Sequence, residues 1–174
     1  PSTANFHESP EYVEYTDDIY VGYRYFETIK GASEKVNYPF GFGLSYTEFS
    51  ITLLGCTEKE GTIAAGVLVK NIGGCAGKEV VQLYYEAPQG LLGKPARVLA
   101  AFEKTRELNP GEEQTLILSF KTADMASYDD LGKVQKSACV LEKGAYHFYL
   151  GNSVRDAKEL DYVWNLEENK VVLQ

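Results

Sequence analysis

"TIAAGVLVKNIGGCAGKEVVQLYYEAP", residues 62–88, sets two apolar runs on either side of a glycine-rich break. In the first run Ile63, Ala65, Val67 and Val69 fall on alternate positions. That is the two-residue period of a strand with one buried face. Residues 71–77, NIGGCAG, then supply the residue types of a turn. The second run places Val81, Leu83 and Tyr85 on one side and stops at Pro88.

The same rhythm extends both ways. EFSITLLGCT (48–57) leads into a turn at Lys59-Glu60-Gly61. QTLILSFKT (114–122) alternates cleanly, with Leu116, Leu118 and Phe120 inward, after the strong turn signal NPGEE (109–113). ARVLAAFEKTREL (96–108) fits helix or strand equally by periodicity. ADMASYDD (123–130) suits a short helical turn, and 136–153 reads as two strands joined in a hairpin at Glu142-Lys143-Gly144. ELDYVWNL (159–166) adds one more strand. Strands at spacings of about ten residues, with turns between them, predict an all-β, antiparallel β-sandwich. A parallel α/β fold needs helices between the strands, and none of adequate length is evident.

Residues 1–46 differ. They hold Tyr12, Tyr15, Tyr20, Tyr23, Tyr25, Tyr38 and Tyr46 among the chain's 13 tyrosines. DIYVGYRYF (18–26) reads as extended chain with both faces apolar or aromatic, which demands cover on two sides. In VNYPFGFGLSYTEFS (36–50) Pro39 disfavours helix, while Gly41 and Gly43 permit close backbone approach. This predicts a structural clasp with Phe40 buried. Residues 1–46 are thus an extended clasp, 47–153 the sandwich, and 154–174 an extension leading towards a further domain.

The 174 residues include 44% hydrophobic and 24% charged side chains, enough for a core without disulfides. A net charge of −8 with no basic stripe excludes a nucleic-acid partner. No apolar run is long enough to span a membrane. Cys56, Cys75 and Cys139 form no C-x-x-C pair, so the expectation is three inert thiols, no zinc, and a reducing, cytoplasmic setting.

Candidate chemistry fails residue by residue. GFGLSY (41–46) has Tyr46 where a dinucleotide loop needs glycine. GLSYT (43–47) has Thr47 where a nucleophile elbow needs glycine, so Ser45 is no nucleophile. His7 and His147 stand apart, without clustered carboxylates. A glycosidase needs two convergent carboxyls in a pocket. Asp17/Asp18, Glu112/Glu113, Asp129/Asp130 and Glu167/Glu168 are adjacent pairs, which diverge on extended chain and are solvated in turns. The expectation is no catalytic residue, no metal and no cofactor.

Taken in order, DDIYVGYRYFE (17–27), VNYPFGFGLSYTEF (36–49), VLVKNIGGCAGKEVVQLYYEAP (67–88), KPARVLAAFEKTRELNPGEEQTLILSF (94–120), MASYDD (125–130) and LEKGAYHFYLGNS (141–153) resemble the fibronectin type III-like region of glycoside hydrolase family 3. The resemblance covers residues 12–153. It departs at Phe42, where family members often carry His, and at Ala100-Ala101, where Lys-Gly is common. It implies a fibronectin type III-like, immunoglobulin-like sandwich attached to a (β/α)8-type barrel and an α/β sandwich domain. The catalytic Asp and Glu of the family lie on those two domains. No tract here matches either, so no position inherits a catalytic role. The parent is expected to be β-glucosidase-like and retaining, with the barrel following the sandwich. The chain itself is expected to brace those domains; the alternative is a carbohydrate-binding module built on its tyrosines.

Overall fold

The structure, a computed structural model, describes residues 11, 12 and 18–174. His7, Tyr15 and Asp17 lie outside the described residues.

The first sheet holds β1 (Phe49–Lys59), β2 (Thr62–Asn71) and β5 (Glu113–Lys121), in the order β1-β2-β5. β1 and β2 are joined by Glu60-Gly61, both at positive φ, 51° and 75°. That two-residue geometry follows the right-handed twist of paired strands, and glycine supplies half of it without steric cost. The second sheet holds β3 (Val80–Glu86), β4 (Val98–Lys104), β8 (Gly144–Gly151) and β9 (Lys158–Leu166), in the order β4-β3-β8-β9. A third, small sheet is made by β6 (Ser127–Asp129), β7 (Ala138–Leu141) and β10 (Lys170–Leu173). All pairings are antiparallel.

The core lies between the two larger sheets. Ile63, Ala65, Val67 and Val69 of β2 are fully buried, as their alternation predicts, and face Val81, Leu83 and Tyr146 in one cluster. The glycine-rich turn after β2 is organised by Asn71, which is fully buried. Its Oδ1 accepts from Thr47 Oγ1 at 2.7 Å and from the Gly73 N–H, and its Nδ2 donates to the Cys75 and Leu108 carbonyls at 2.8 Å each.

Several expectations are corrected. Residues 23–28 form a short helix, α1 (Tyr23–Thr28), not a strand; the chain turns at Gly22, whose carbonyl accepts from the Tyr25 and Phe26 N–H groups. Six residues are too few for periodicity to separate helix from strand. The 96–108 segment resolves as strand β4 because β3 offers it a ladder. The hairpin expected over 136–153 does not form. β7 and β8 pair in different sheets, because Glu142 turns inward to a buried lysine instead of joining a polar turn. The strand expected over 159–166 does form, as β9 on β8, and 170–173 pair with β7, so the sheets continue past residue 153. Tyr84, Tyr85, Tyr146 and Tyr149 are all buried.

Candidate docking surface

Residues 18–46 act as a latch over the second sheet. β3 is buried on both sides: Val81, Leu83 and Tyr85 join the core, while Gln82 and Tyr84 are covered on the outer face. That outer face would be wet if nothing covered it. Tyr23 of α1 covers it, meeting Tyr84 edge-on at 6.3 Å and stacking on Phe40 at 4.6 Å. The two-sided cover demanded by this tyrosine-rich segment is thus met partly within the chain.

Polar contacts fix the latch along the edge strand β4. The Leu99 N–H donates to the Tyr23 hydroxyl at 2.9 Å, and the Ala96 N–H donates to Thr28 Oγ1 at 2.8 Å. The Val154 N–H donates to the Phe40 carbonyl at 2.9 Å. Arg155 donates to the Glu27 carboxylate and to the Ser33 carbonyl. Gly41 has φ 86°, and a Cβ there would lie 2.5 Å from Gln82 Nε2 and 2.9 Å from the Asn152 carbonyl oxygen. Only glycine suits that place. Gln82 is itself engaged, donating to the Asn152 carbonyl and accepting from the Tyr84 hydroxyl.

The far side of the latch faces solvent. Tyr38 stacks on Phe42 at 5.1 Å, and both are exposed. Leu44 and Tyr46 are 93% and 98% exposed. Phe40, expected to be buried, is 45% exposed, because Tyr23 stacks on one face of its ring only. Exposed apolar side chains gathered within one short segment, 38–46, make it a candidate docking surface.

Beside the latch lies a groove of about 860 Å³, lined by Ile19, Tyr20 and Arg24 on one side and by Leu92, Tyr128 and Leu131 on the other. Two loops form its outer wall, each pinned by a buried carboxylate. Glu142, 3% exposed, accepts from the Leu91 N–H at 2.6 Å, the Leu92 N–H at 3.3 Å and the Lys94 ammonium. Burial pushes its carboxyl up, but Lys94 and those N–H groups more than offset this and hold it below the usual range. Asp129, 1% exposed, accepts from the N–H groups of Gly132, Lys133, Val134 and Gln135 at 2.7–3.0 Å. Burial pushes it up as well, and the four donors hold it low. The Asp129/Asp130 pair, expected to be solvated in a turn, is therefore corrected at its first member. Sequence reasoning also passed over Lys94 and Glu142. Glu142-Lys143-Gly144 has the composition of a polar turn, so the sequence carried no signal that Glu142 is buried.

The remaining candidates have structural surroundings. His147 Nδ1 lies 2.8 Å from Glu159 Oε1 in an exposed cross-strand pair. Ser45 Oγ accepts from the Thr47 N–H at 3.3 Å. Glu112 closes the NPGEE turn by accepting from the Asn109 N–H at 2.8 Å and from Arg106 at 3.0 Å. Asp18 accepts from the Tyr20 N–H; Glu113, Glu167 and Glu168 are exposed. Among the described residues no group of three or more His, Cys, Asp or Glu side chains comes together to hold a metal. Cys56, Cys75 and Cys139 are free, and burial pushes the Cys56 thiol up to about 11, far from a reactive thiolate.

Residues 79–154 match the family described as Fibronectin type III-like domain. The chain carries a fibronectin type III-like domain. β1 and β2, before residue 79, and β9 and β10, after 154, complete the domain's sheets. Over its whole length the chain is similar to segments of family 3 β-glucosidases. It is 57% identical to β-glucosidase A of Butyrivibrio fibrisolvens, matching 100% of this chain and 23% of that protein. It is 50% identical to a β-glucosidase of Ruminococcus albus, across 100% of this chain and 18% of that protein. Among solved structures, a β-glucosidase from Paenibacillus barengoltzii superposes with a TM-score of 0.91 at 49% identity, covering 100% of this chain and 20% of that one. β-Glucosidase 3B of Thermotoga neapolitana, in complex with α-D-glucose, gives 0.80 at 38% identity, over 93% of this chain and 21% of that one. The domain thus spans about a fifth of the length of these relatives.

Proposed function

We propose that this domain is a non-catalytic brace within a larger β-glucosidase-like enzyme. It packs the outer face of its latch against the parent's catalytic domains, a (β/α)8-type barrel and an α/β sandwich domain, with the barrel following it in the chain. The observation that carries this reading is the row of exposed apolar side chains at Tyr38, Phe42, Leu44 and Tyr46, held on an anchored segment. Anchoring makes the row a fixed surface, so little ordering entropy opposes its burial. The names of the relatives support a β-glucosidase-like parent, and the family resemblance implies cleavage of terminal β-D-glucosides with retention. The acid/base and nucleophile then belong to the other domains, and the purified domain should not turn over an aryl β-glucoside. Measurable turnover would refute the reading. A reducing, cytoplasmic setting belongs to the same proposal and is supported by the three free thiols.

One observation favours the carbohydrate-binding alternative: the exposed Tyr38 and Phe42 rings. They stack on each other instead of lying side by side in one plane, which suits a sugar platform poorly. Pull-down on insoluble glucan separates the two readings, since retention of the domain favours the module and no retention favours the brace.

A further inference from the structure

We propose that the groove between the latch and the two pinned loops is a preformed seat for an apolar ridge, flanked by a Lys or Arg, on another folded domain of the same polypeptide. This rests on the brace reading and names a second surface through which it acts, separate from the aromatic row.

The argument begins with an imbalance. Loops 89–95 and 130–137 are each tied down by a carboxylate that is almost wholly out of water, Glu142 and Asp129. Taking a charge out of water is costly and is tolerated where hydrogen bonds compensate. The loops are also tied to each other, because Lys133 Nζ donates to the Leu91 carbonyl at 3.2 Å. Rigid loops that simply connect strands have no need to carry apolar tips. These two hold Leu91 62% exposed and Leu131 71% exposed. Rigidity combined with exposed leucines is the arrangement that lowers the entropic cost of docking.

The shape selects the occupant. A small ligand is gripped by side chains inside a cavity. Here Leu131 and Tyr128, itself 62% exposed, line the groove, and Leu91 projects from the same loop as the lining Leu92, so a broad surface is needed to cover them together. The lining also carries three carboxylates, Asp18, Asp124 and Asp130, against two cations, Arg24 and Lys133. A residual negative lining favours a basic flank on the partner. The relatives are about five times longer than this chain, so a partner on the same polypeptide is at hand.

Hydroxyl-radical footprinting of the intact full-length enzyme tests this without altering a residue. Leu54, 58% exposed on β1, is the internal standard. Leu91 and Leu131 are expected to be modified roughly tenfold more slowly than Leu54, because a packed interface excludes water. Equal rates overturn the proposal. If the latch residues Leu44 and Tyr46 are protected while Leu91 and Leu131 react like Leu54, the seat is refuted and the brace reading stands. If neither set is protected, both fall. A variant gives a second measure. The full-length enzyme with Leu91→Asp and Leu131→Asp should keep its room-temperature kcat, and its half-life on heating should shorten about tenfold. An unchanged half-life overturns the proposal.

Discussion

Removing the charge of Glu142 probes the buried pair that holds loop 89–95. Glu142 and Lys94 are each about 4% exposed, so neither charge is relieved by water. Glu142→Gln keeps an oxygen for the Leu91 N–H but strands the Lys94 ammonium. Breaking a buried pair from one side costs about 3–5 kcal/mol. The retained acceptor puts this case near the low end, at about 3 kcal/mol. For a domain of this size each kcal/mol moves the melting temperature by about 2–4 °C, so a fall of about 6–12 °C is expected. Lys94→Met should cost a similar amount by leaving the carboxylate unpaired. The double variant should cost clearly less than the sum, because both charges leave together. The pH dependence has a definite sign. The folded-state pKa of Glu142 lies below its ordinary 4.5, so the pair's stabilisation is full above the unfolded value and is lost as pH falls through the folded one. The gap between wild type and Glu142→Gln should therefore close in acid. Urea unfolding across that pH range reads all four proteins. A Glu142→Gln variant within about 1 kcal/mol of wild type at pH 7, or a double variant equal to the sum of the singles, would refute the reasoning.

Other substitutions probe the latch and the turn. Phe40→Ala should cost about 1–2 kcal/mol by urea unfolding, well under the 3–5 of a fully buried phenylalanine, because only its Tyr23-facing side is covered; a loss above 3 kcal/mol would mean that the ring is buried after all. Gly41→Ala should destabilise more than Phe40→Ala, since the new methyl meets Gln82 and Asn152 at an unfavourable φ; equal or higher stability would contradict the packing described. Asn71→Ala strands the groups that its amide serves and should cost about 3 kcal/mol, with Asn71→Asp restoring only part because Nδ2 is gone; full recovery in Asn71→Asp would show that the donor side does not matter.

Much of the sandwich was legible because β2 and β5 each face the core on one side only, so alternation reports burial directly. The glycine-rich turn was legible for a similar local reason. What escaped depends on contacts far apart in sequence. α1 was misread because its aromatic residues satisfy a strand pattern as well as they satisfy a short helix; the choice is made by the Tyr23 hydroxyl meeting Leu99, 76 positions away. The hairpin at 142–144 was misread because Glu142 looks like a turn residue until Lys94 is brought beside it, 48 positions away. At the candidate site the sequence showed an aromatic segment seeking a neighbour. It did not show which ring would be covered, and Phe40 ends half out. The groove was invisible, since its walls come from segments far apart in sequence, Ile19, Tyr20 and Arg24 on one side and Leu92, Tyr128 and Leu131 on the other.

Differential scanning calorimetry of the full-length enzyme carrying Leu44→Asp and Tyr46→Asp tests the brace most directly. Both side chains are more than 90% exposed in the domain alone, so the changes leave the domain's own fold intact. If the latch face is buried against the catalytic domains, charging it costs several kcal/mol of contact, and the domain's unfolding should separate as an earlier transition. A thermogram that superimposes on the wild type would contradict the account.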